Sequence, residues 1–415
     1  MASLLTLPLE ILQQILADIA DSPPESTPSK YSVLSFNPNS TLRDISTLAR
    51  LCRTCHTLRE IVEPDLHRDI GISSANVEQL ISLFKCWKAR PHCAHYTRRL
   101  TIEARSQIHQ GPSRRGIIPL ISLDDADLVS GIIQDLALKI RPDWYEHYWN
   151  INVLVEVAVL LAQNAEYVGL LFQDKRGIYR QPFDMIPEPN KTAMPIVFNN
   201  LRCLHLIQPG RSTMDEFKSV LNCSPNLQEL RLDICGDPTS VFTLPPNLTS
   251  LVLRRTNLSA RHFQSMTSNF TMLRHLELVL DGSSREALIL AAIAKHRDTL
   301  TSLILLSGKT LPFAKLKTLH KLESLTTSVE TVQPGDLLGS LPSSLRELRI
   351  LEETDGGTTQ DPRAWFKEFH ADSDVRAGNL PKNMAIWKIF HYRKIDEASS
   401  LTCCNWDHRF WRKMM

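Results

Sequence analysis

The unit Leu-x-x-Leu-x-Leu recurs along the second half of the chain and limits its fold more than any other feature. It appears as Leu201/Leu204/Leu206, Leu227/Leu230/Leu232, Leu248/Leu251/Leu253, Leu273/Leu276/Leu278 and Leu300/Leu303/Leu305. Looser copies follow at Leu322/Leu325/Thr327 and Leu345/Leu348/Ile350. Successive starts lie 26, 21, 25, 27, 22 and 23 residues apart. Side chains alternate between the two faces of an extended segment, so the second and third leucines of each unit point the same way. Helical returns are read between several of these strands, at Asp215 to Leu221, Ala260 to Ser268 and Arg285 to Lys295. One such unit cannot bury its apolar face alone, so neighbours must stack. Two architectures meet that need: a globular α/β domain with leucine-rich strands, or an irregular solenoid. Seven copies at this spacing favour the solenoid, an α/β horseshoe of uneven curvature.

Upstream, Leu66 to Arg90 reads as a helix and Thr97 to Ile102 as a strand. Gln107 to Arg115 reads as a loop. Asp124 to Ile140 and Ile151 to Gln163 carry two helical patterns, with the aromatic segment Trp144 to Trp149 between them. Ala165 to Leu170 is a weak forerunner of the leucine unit, and Arg180 to Pro195 is a proline-rich connector. After Leu351 the pattern breaks into an acidic loop, then a short helix at Arg363 to Phe369 and a last strand near Ala385 to Phe390. The aromatic tail is expected to cap the array.

The N-terminus carries a different period. Pro8 suits a helix start, where its missing N–H costs nothing. Glu10 in the first turn complements the helix dipole. Ile11, Leu12, Ile15, Leu16 and Ile19 then recur at helical spacing. A second helical pattern opens after Ser40 or Thr41. It carries Leu42, Ile45, Leu48, Ala49, Leu51, Cys52, Cys55, Leu58, Ile61 and Val62 on one periodicity until Pro64 stops it. Between the two helical patterns lies a segment of prolines and serines, from about Asp21 to Ser40, that reads as a loop.

Leu7-Pro8-x-Glu10-Ile11-x-x-x-Ile15-Leu16, then Leu48-x-x-Leu51-Cys52-Arg53-x-Cys55-x-x-Leu58-Arg59 and Pro64-x-Leu66-x-Arg68, resembles an F-box. In that family a three-helix motif binds a Skp-type adaptor, which joins it to a cullin–RING ubiquitin ligase. The resemblance implies adaptor-facing or supporting roles for Leu7, Pro8, Ile11, Leu12, Ile15, Leu51 and Cys52. The family joins its first two helices by a short turn, so the 21–40 segment is an insertion here. Residues 201 to 351 resemble leucine-rich-repeat proteins, and an F-box followed by degenerate repeats is a familiar fungal pairing. The copies lack the regular asparagine of stricter repeats. The expected organisation is an F-box-like helical domain at 1–70 and a leucine-rich-repeat solenoid at 71–351, irregular to 200 and clearer from 201. A loop and capping segment at 352–415 completes it.

Composition narrows the function classes. Lys and Arg number 47 against 45 Asp and Glu, a formal charge of +2, so no overall electrostatic case exists for nucleic acid or a membrane surface. The nine cysteines are scattered. With no secretory signal in view, reduced thiols in the cytoplasm or nucleus are expected. Ile151 to Leu161 is apolar but too short to span a bilayer.

Cys52-Arg53-Thr54-Cys55-His56 matches the spacing for covalent haem attachment, yet both cysteines fall on one apolar helical face and read as core. Cys86, His92, Cys93 and His95 offer metal-binding atoms without a paired Cys-x-x-Cys half-site, and Cys403, Cys404 and His408 offer no better. No phosphate loop, dinucleotide fingerprint or nucleophile elbow is present. Asp124, Asp125 and Asp127 read as a helix start. No catalytic residue, metal or cofactor is therefore expected.

The remaining candidate is the strand face opposite the leucines. It gathers His205, Glu229, Arg231, Asp233, Arg254, His275, Glu277, Glu347 and Arg349. Of these, His205, Arg231, Asp233, Arg254, His275, Glu277 and Arg349 are assigned to binding a protein target. Reversing Arg231 and Arg254 to glutamate is expected to weaken target capture while sparing the fold. Together these readings imply a non-catalytic substrate-recognition subunit of a cullin–RING ligase. The alternative is a scaffold that works without the adaptor.

Overall fold

The computed structural model describes residues 8–21, 45–75, 77–105, 122–136, 151–173, 197–207, 217–233, 243–256, 258–280, 286–307, 310–353, 368 and 386–392. They belong to two units, the first ending at Leu227 and the second beginning at Gln228.

In the first unit three helices lead, α1 (Leu9–Asp21), α2 (Ile45–Cys52) and α3 (His56–Leu66). The Pro8 carbonyl accepts the Ile11 and Leu12 amides, so the proline sits at the cap of α1 and uses only the group it has. The apolar run from Leu42 to Val62 is not one helix: it breaks at Arg53-Thr54, and Cys55 caps α3 in an extended conformation. Cys52 and Cys55 thus end one helix and begin another. Pro64 does not stop α3 but lies inside its last turns. It deprives the Glu60 carbonyl of a donor, and Glu60 is exposed, where solvent can serve.

The chain then becomes β1 (Asp69–Ala75), α4 (Val77–Ala89), α5 (Pro91–Tyr96), β2 (Arg99–Arg105), α6 (Leu123–Asp135), α7 (Ile151–Leu161), β3 (Tyr167–Gln173), β4 (Cys203–Ile207) and α8 (Lys218–Asn222). The helix expected from Leu66 to Arg90 is therefore a strand followed by a helix. Ile70 and Ile72 have period two, a signal that the helical residues on either side masked. Ser122 caps α6 by accepting the Asp125 amide at 3.2 Å, with Asp124 and Asp125 in the first turn as expected. The strands β1 to β4 pair in parallel, in chain order.

The second unit comprises β5 (Glu229–Asp233), β6 (Ser250–Thr256), α9 (Ala260–Thr267), β7 (His275–Leu280), α10 (Glu286–Ile293), β8 (Ser302–Ser307), β9 (Ser324–Ser328), α11 (Pro334–Ser340), β10 (Glu347–Glu353) and β11 (Ile386–Tyr392). Strands β5 to β11 also pair in parallel and in chain order. In every leucine unit from Leu201 onward the second and third positions lie on a strand. Two rows of equivalent positions run across the second sheet. One is Leu230, Leu251, Leu276, Leu303, Leu325 and Leu348; the other is Leu232, Leu253, Leu278, Leu305, Thr327 and Ile350. No member of either row is more than 2% exposed. The first leucine of each unit is buried before its strand begins. The strand entries repeat one bonding pattern: the Arg274 and His275 amides share the Thr249 carbonyl at 2.8 and 3.0 Å, and Thr301 and Ser302 share that of Arg274.

This architecture corrects the expected one. A helical F-box domain joined to a leucine-rich-repeat horseshoe with a terminal cap is not what forms. In each unit the described strands pair in parallel as an open α/β arrangement with helices between them. The first starts two residues after α3, and in the second β11 adds a strand alongside β10. A leucine unit dictates a parallel strand with one buried face, and both architectures satisfy that demand. The Gln107–Arg115 loop, the Trp144–Trp149 segment, the Arg180–Pro195 connector and the tail beyond Tyr392 lie outside the described residues, as does all but Glu368 of the helix read at Arg363 to Phe369.

Thr327 interrupts an otherwise aliphatic row, and its buried hydroxyl finds no hydrogen-bond partner. A stranded buried hydroxyl costs about 1 kcal/mol or more. Thr327→Val keeps the shape and removes that cost. It is expected to raise unfolding stability by about 1 kcal/mol, measured by urea denaturation; a variant less stable than the parent would contradict this.

Candidate functional site

The helical module presents its apolar side chains in two directions. Leu48, Cys52 and Val62 form a core, with Leu51, Ile61 and Leu66 packed against it. Burial raises the Cys52 thiol, and the Glu63 charge adds to the effect. Leu51 and Cys52 therefore hold α2 to α3. On α1, Leu12 is 5% exposed and faces inward. Ile11 and Ile15 are 44% and 37% exposed. They are one helical turn apart and share a face, which is unusual for large aliphatic side chains. Pro8 is exposed beside them, and Leu7 lies outside the described residues. The seven residues assigned to the adaptor thus divide into an outward set, Pro8, Ile11 and Ile15, and an inward set, Leu12, Leu51 and Cys52.

The residues assigned to target binding divide similarly. Arg231, Asp233, Arg254 and Glu277 are buried, not displayed. Arg254 Nε donates to Glu277 Oε1 across neighbouring strands, both side chains almost wholly covered. The second Glu277 oxygen is buried with no hydrogen-bond partner. Arg231 Nη2 stands 3.9 Å from Asp233 Oδ2. Charge reversal at Arg231 and Arg254 would therefore not spare the fold, because it would set a second buried carboxylate beside Glu277.

Half-buried positions remain. Glu229, Ser250, His275, Ser302, Ser324 and Glu347 form one row across β5 to β10. His275 Nδ1 is 3.0 Å from the Ser302 hydroxyl. The Ser324 hydroxyl donates to Glu347 Oε2 at 3.3 Å, and Arg349 Nε donates to Glu347 Oε1 at 2.8 Å. Burial holds the His275 imidazole below its ordinary value, against the opposing charges of Glu277 and Glu229. In the first unit His205 shares a 3.0 Å hydrogen bond with the Tyr167 hydroxyl, and the Arg99 guanidinium lies 4.2 Å from the Tyr167 ring centre. His205 in the first unit and Arg349 in the second are half-buried as well.

A third group was only half visible in the sequence. Of Cys86, His92, Cys93 and His95, the fold does not assemble a common centre. His95 instead accepts from Asn164 at 3.3 Å, and Cys86 lies 3.9 Å from Arg90 Nη2. Cys93 and His92 meet α3. His92 Nε2 donates to Glu63 Oε2 at 2.9 Å, Arg90 binds Glu63 Oε1, and ligating atoms of Glu63, His67 and Cys93 lie within 4.8 Å of one another. Burial would raise the Glu63 carboxyl, but the His92 hydrogen bond and the Arg90 charge outweigh it and hold the carboxyl below the usual range. Burial, with Glu63 beside it, pushes the Cys93 thiol up to about 12. Burial lowers His67 and favours its neutral imidazole. Glu63 and His67 stand four apart at the end of α3, a spacing that could have flagged them.

No protein-family model matches this chain, and no curated protein matches its sequence. Among the described residues, no helix is long and apolar enough to cross a membrane.

Two outcomes follow from the buried charges. Arg254→Ala leaves Glu277 charged and uncompensated, and is expected to cost about 3–5 kcal/mol of unfolding stability. The pair Arg254→Met/Glu277→Leu is expected to recover most of that loss, since well-packed apolar replacements of a buried ion pair are often neutral. Equal losses in both variants, by urea denaturation, would contradict the account. The second outcome concerns His275 and His296, which burial holds below the ordinary 6.5. The unfolded chain takes up these protons first, so stability is full above that value and is lost as pH falls through it. Thermal unfolding between about pH 8 and about pH 5 should show the fall, and His275→Asn should flatten it; an unchanged slope would refute the His275 contribution.

Proposed function

We propose that this chain is a substrate-recognition subunit of a cullin–RING ubiquitin ligase. Its N-terminal helices would recruit a Skp-type adaptor, and the polar strand row would hold a protein target. The observation that carries this reading is the outward pair Ile11 and Ile15 on α1, beside Pro8, while Leu12 is buried and α2 and α3 share a core of their own. Exposed aliphatic side chains at i and i+4 are suited to a groove on a helical partner. The Leu7-Pro8-x-Glu10-Ile11 pattern supports the same reading, since it resembles the adaptor-binding start of an F-box. The protein's contribution would be positional: holding a target lysine near a charged ubiquitin carrier raises effective concentration without any bond chemistry of its own.

The test is capture of the full chain by a Skp-type adaptor, compared with an Ile11→Asp/Ile15→Asp variant. Leu12 is left intact, because an aspartate at that buried position would damage the module itself. Covering the part of each isoleucine still exposed contributes about 0.6 kcal/mol or more, so the double variant should bind at least about 10-fold more weakly. Its circular dichroism should stay that of the parent. Failure of the unaltered, folded chain to bind the adaptor would overturn the proposal and favour the adaptor-independent scaffold.

A further inference from the structure

Glu63, His67, His92 and Cys93 bring four metal-ligating side chains to the junction of α3 and α5. Glu63 lies in the last turn of α3, and His67 is its C-cap, donating its amide to the Glu63 carbonyl. His92 and Cys93 follow Pro91 at the start of the six-residue helix α5. The Glu63, His67 and Cys93 ligand atoms lie within 4.8 Å of one another, and His92 Nε2 is 2.9 Å from Glu63 Oε2. A tetrahedral ion with bonds of about 2.0–2.3 Å sets its ligand atoms about 3.3–3.8 Å apart. An ion would draw Glu63, His67 and Cys93 together, and His92 would turn from Glu63 to join them.

We propose that these four side chains form a structural zinc site that clamps the N-terminal helices onto the first sheet. One thiolate, one carboxylate oxygen and two imidazole nitrogens suit a borderline-soft ion of tetrahedral preference. Cys93 Sγ would bond to the ion and release its proton to solvent, while both imidazoles ligate in their neutral form. Thiolate and carboxylate together balance the two charges of the ion. Arg90 now binds Glu63 Oε1 from a side chain that is 46% exposed, so it can keep that oxygen as an outer contact or turn to solvent. His92, 48% exposed, gives the ion its way in, and buried Cys93 closes the inner side. The carboxylate's present bonds to His92 and Arg90 are the ones an ion would rearrange.

The experiment uses the full chain, stripped with a chelator and then titrated with zinc against a chromophoric competitor, with cobalt(II) as the spectroscopic substitute. One zinc per chain is expected, with thiolate-to-cobalt charge-transfer absorption. His92→Ala, at a half-exposed position, should weaken zinc binding at least about 10-fold in a chain whose circular dichroism shows it folded. Cys93→Ser should abolish the cobalt–thiolate absorption. Cys55→Ser, at the cap of α3, should retain both, which excludes the Cys52/Cys55 pair as the source. A folded chain that takes up no zinc and gives no cobalt–thiolate absorption would overturn the site. So would zinc affinity unchanged by His92→Ala.

Discussion

One-sided burial of leucine on a parallel strand is the constraint on which the rest of this molecule depends. Each strand commits alternate side chains to a common apolar layer, and the register aligns them with leucines of the strands beside it. A parallel partner needs a crossover, which is why helices recur between the strands. The segments Ala260–Thr267 and Glu286–Ile293 meet that need, burying Phe263, Met266, Ile289 and Leu290 against the structure they cross. The repeated sharing of one carbonyl by two amides, at the entries of β2 to β4 and of β6 to β10, keeps the rows in step where sequence spacing varies.

Once one face is committed to leucine, polar chemistry is confined to the other face and to junctions. Its form depends on how much solvent reaches it. Where solvent is excluded, Arg254 and Glu277 neutralise each other. Where it enters, His275, Ser302, Ser324 and Glu347 form short hydrogen-bonded links that a partner could exchange for its own. At the α3–α5 junction, the His92 hydrogen bond and the Arg90 charge outweigh the burial of Glu63 and hold its carboxyl below the usual range. The same physical demand, that a buried charge be answered, shapes all three places.

The outward isoleucines of α1 follow the opposite logic. Leu12 is buried, and Leu48, Cys52 and Val62 form the α2–α3 core. Ile11 and Ile15 remain on the surface at a cost that a partner would remove. A module this small has little interior, so its outward face is where interaction is to be sought.

Much of the fold was legible in the chain. Seven leucine units marked seven strands, Thr97 to Ile102 anticipated β2, and the helices at Asp124, Ile151, Ala260 and Arg285 stood close to where periodicity put them. These are local properties, set by which side chains alternate and by caps such as Ser122. What periodicity could not decide was the architecture, because an open α/β sheet and a curved solenoid bury the same leucines. Nor could it find β1, whose two isoleucines are too few to outweigh the helical residues around them. The site was less legible still. Alternation placed Arg231, Asp233, Arg254 and Glu277 opposite the leucines correctly, but alternation says nothing of what covers that second face. Only tertiary structure decided that those charges are buried, and only tertiary structure brought Glu63 and His67 to Cys93, across more than twenty residues of helix, strand and turn. Local pattern is written in adjacent residues; burial and long-range encounter are properties of the packed chain.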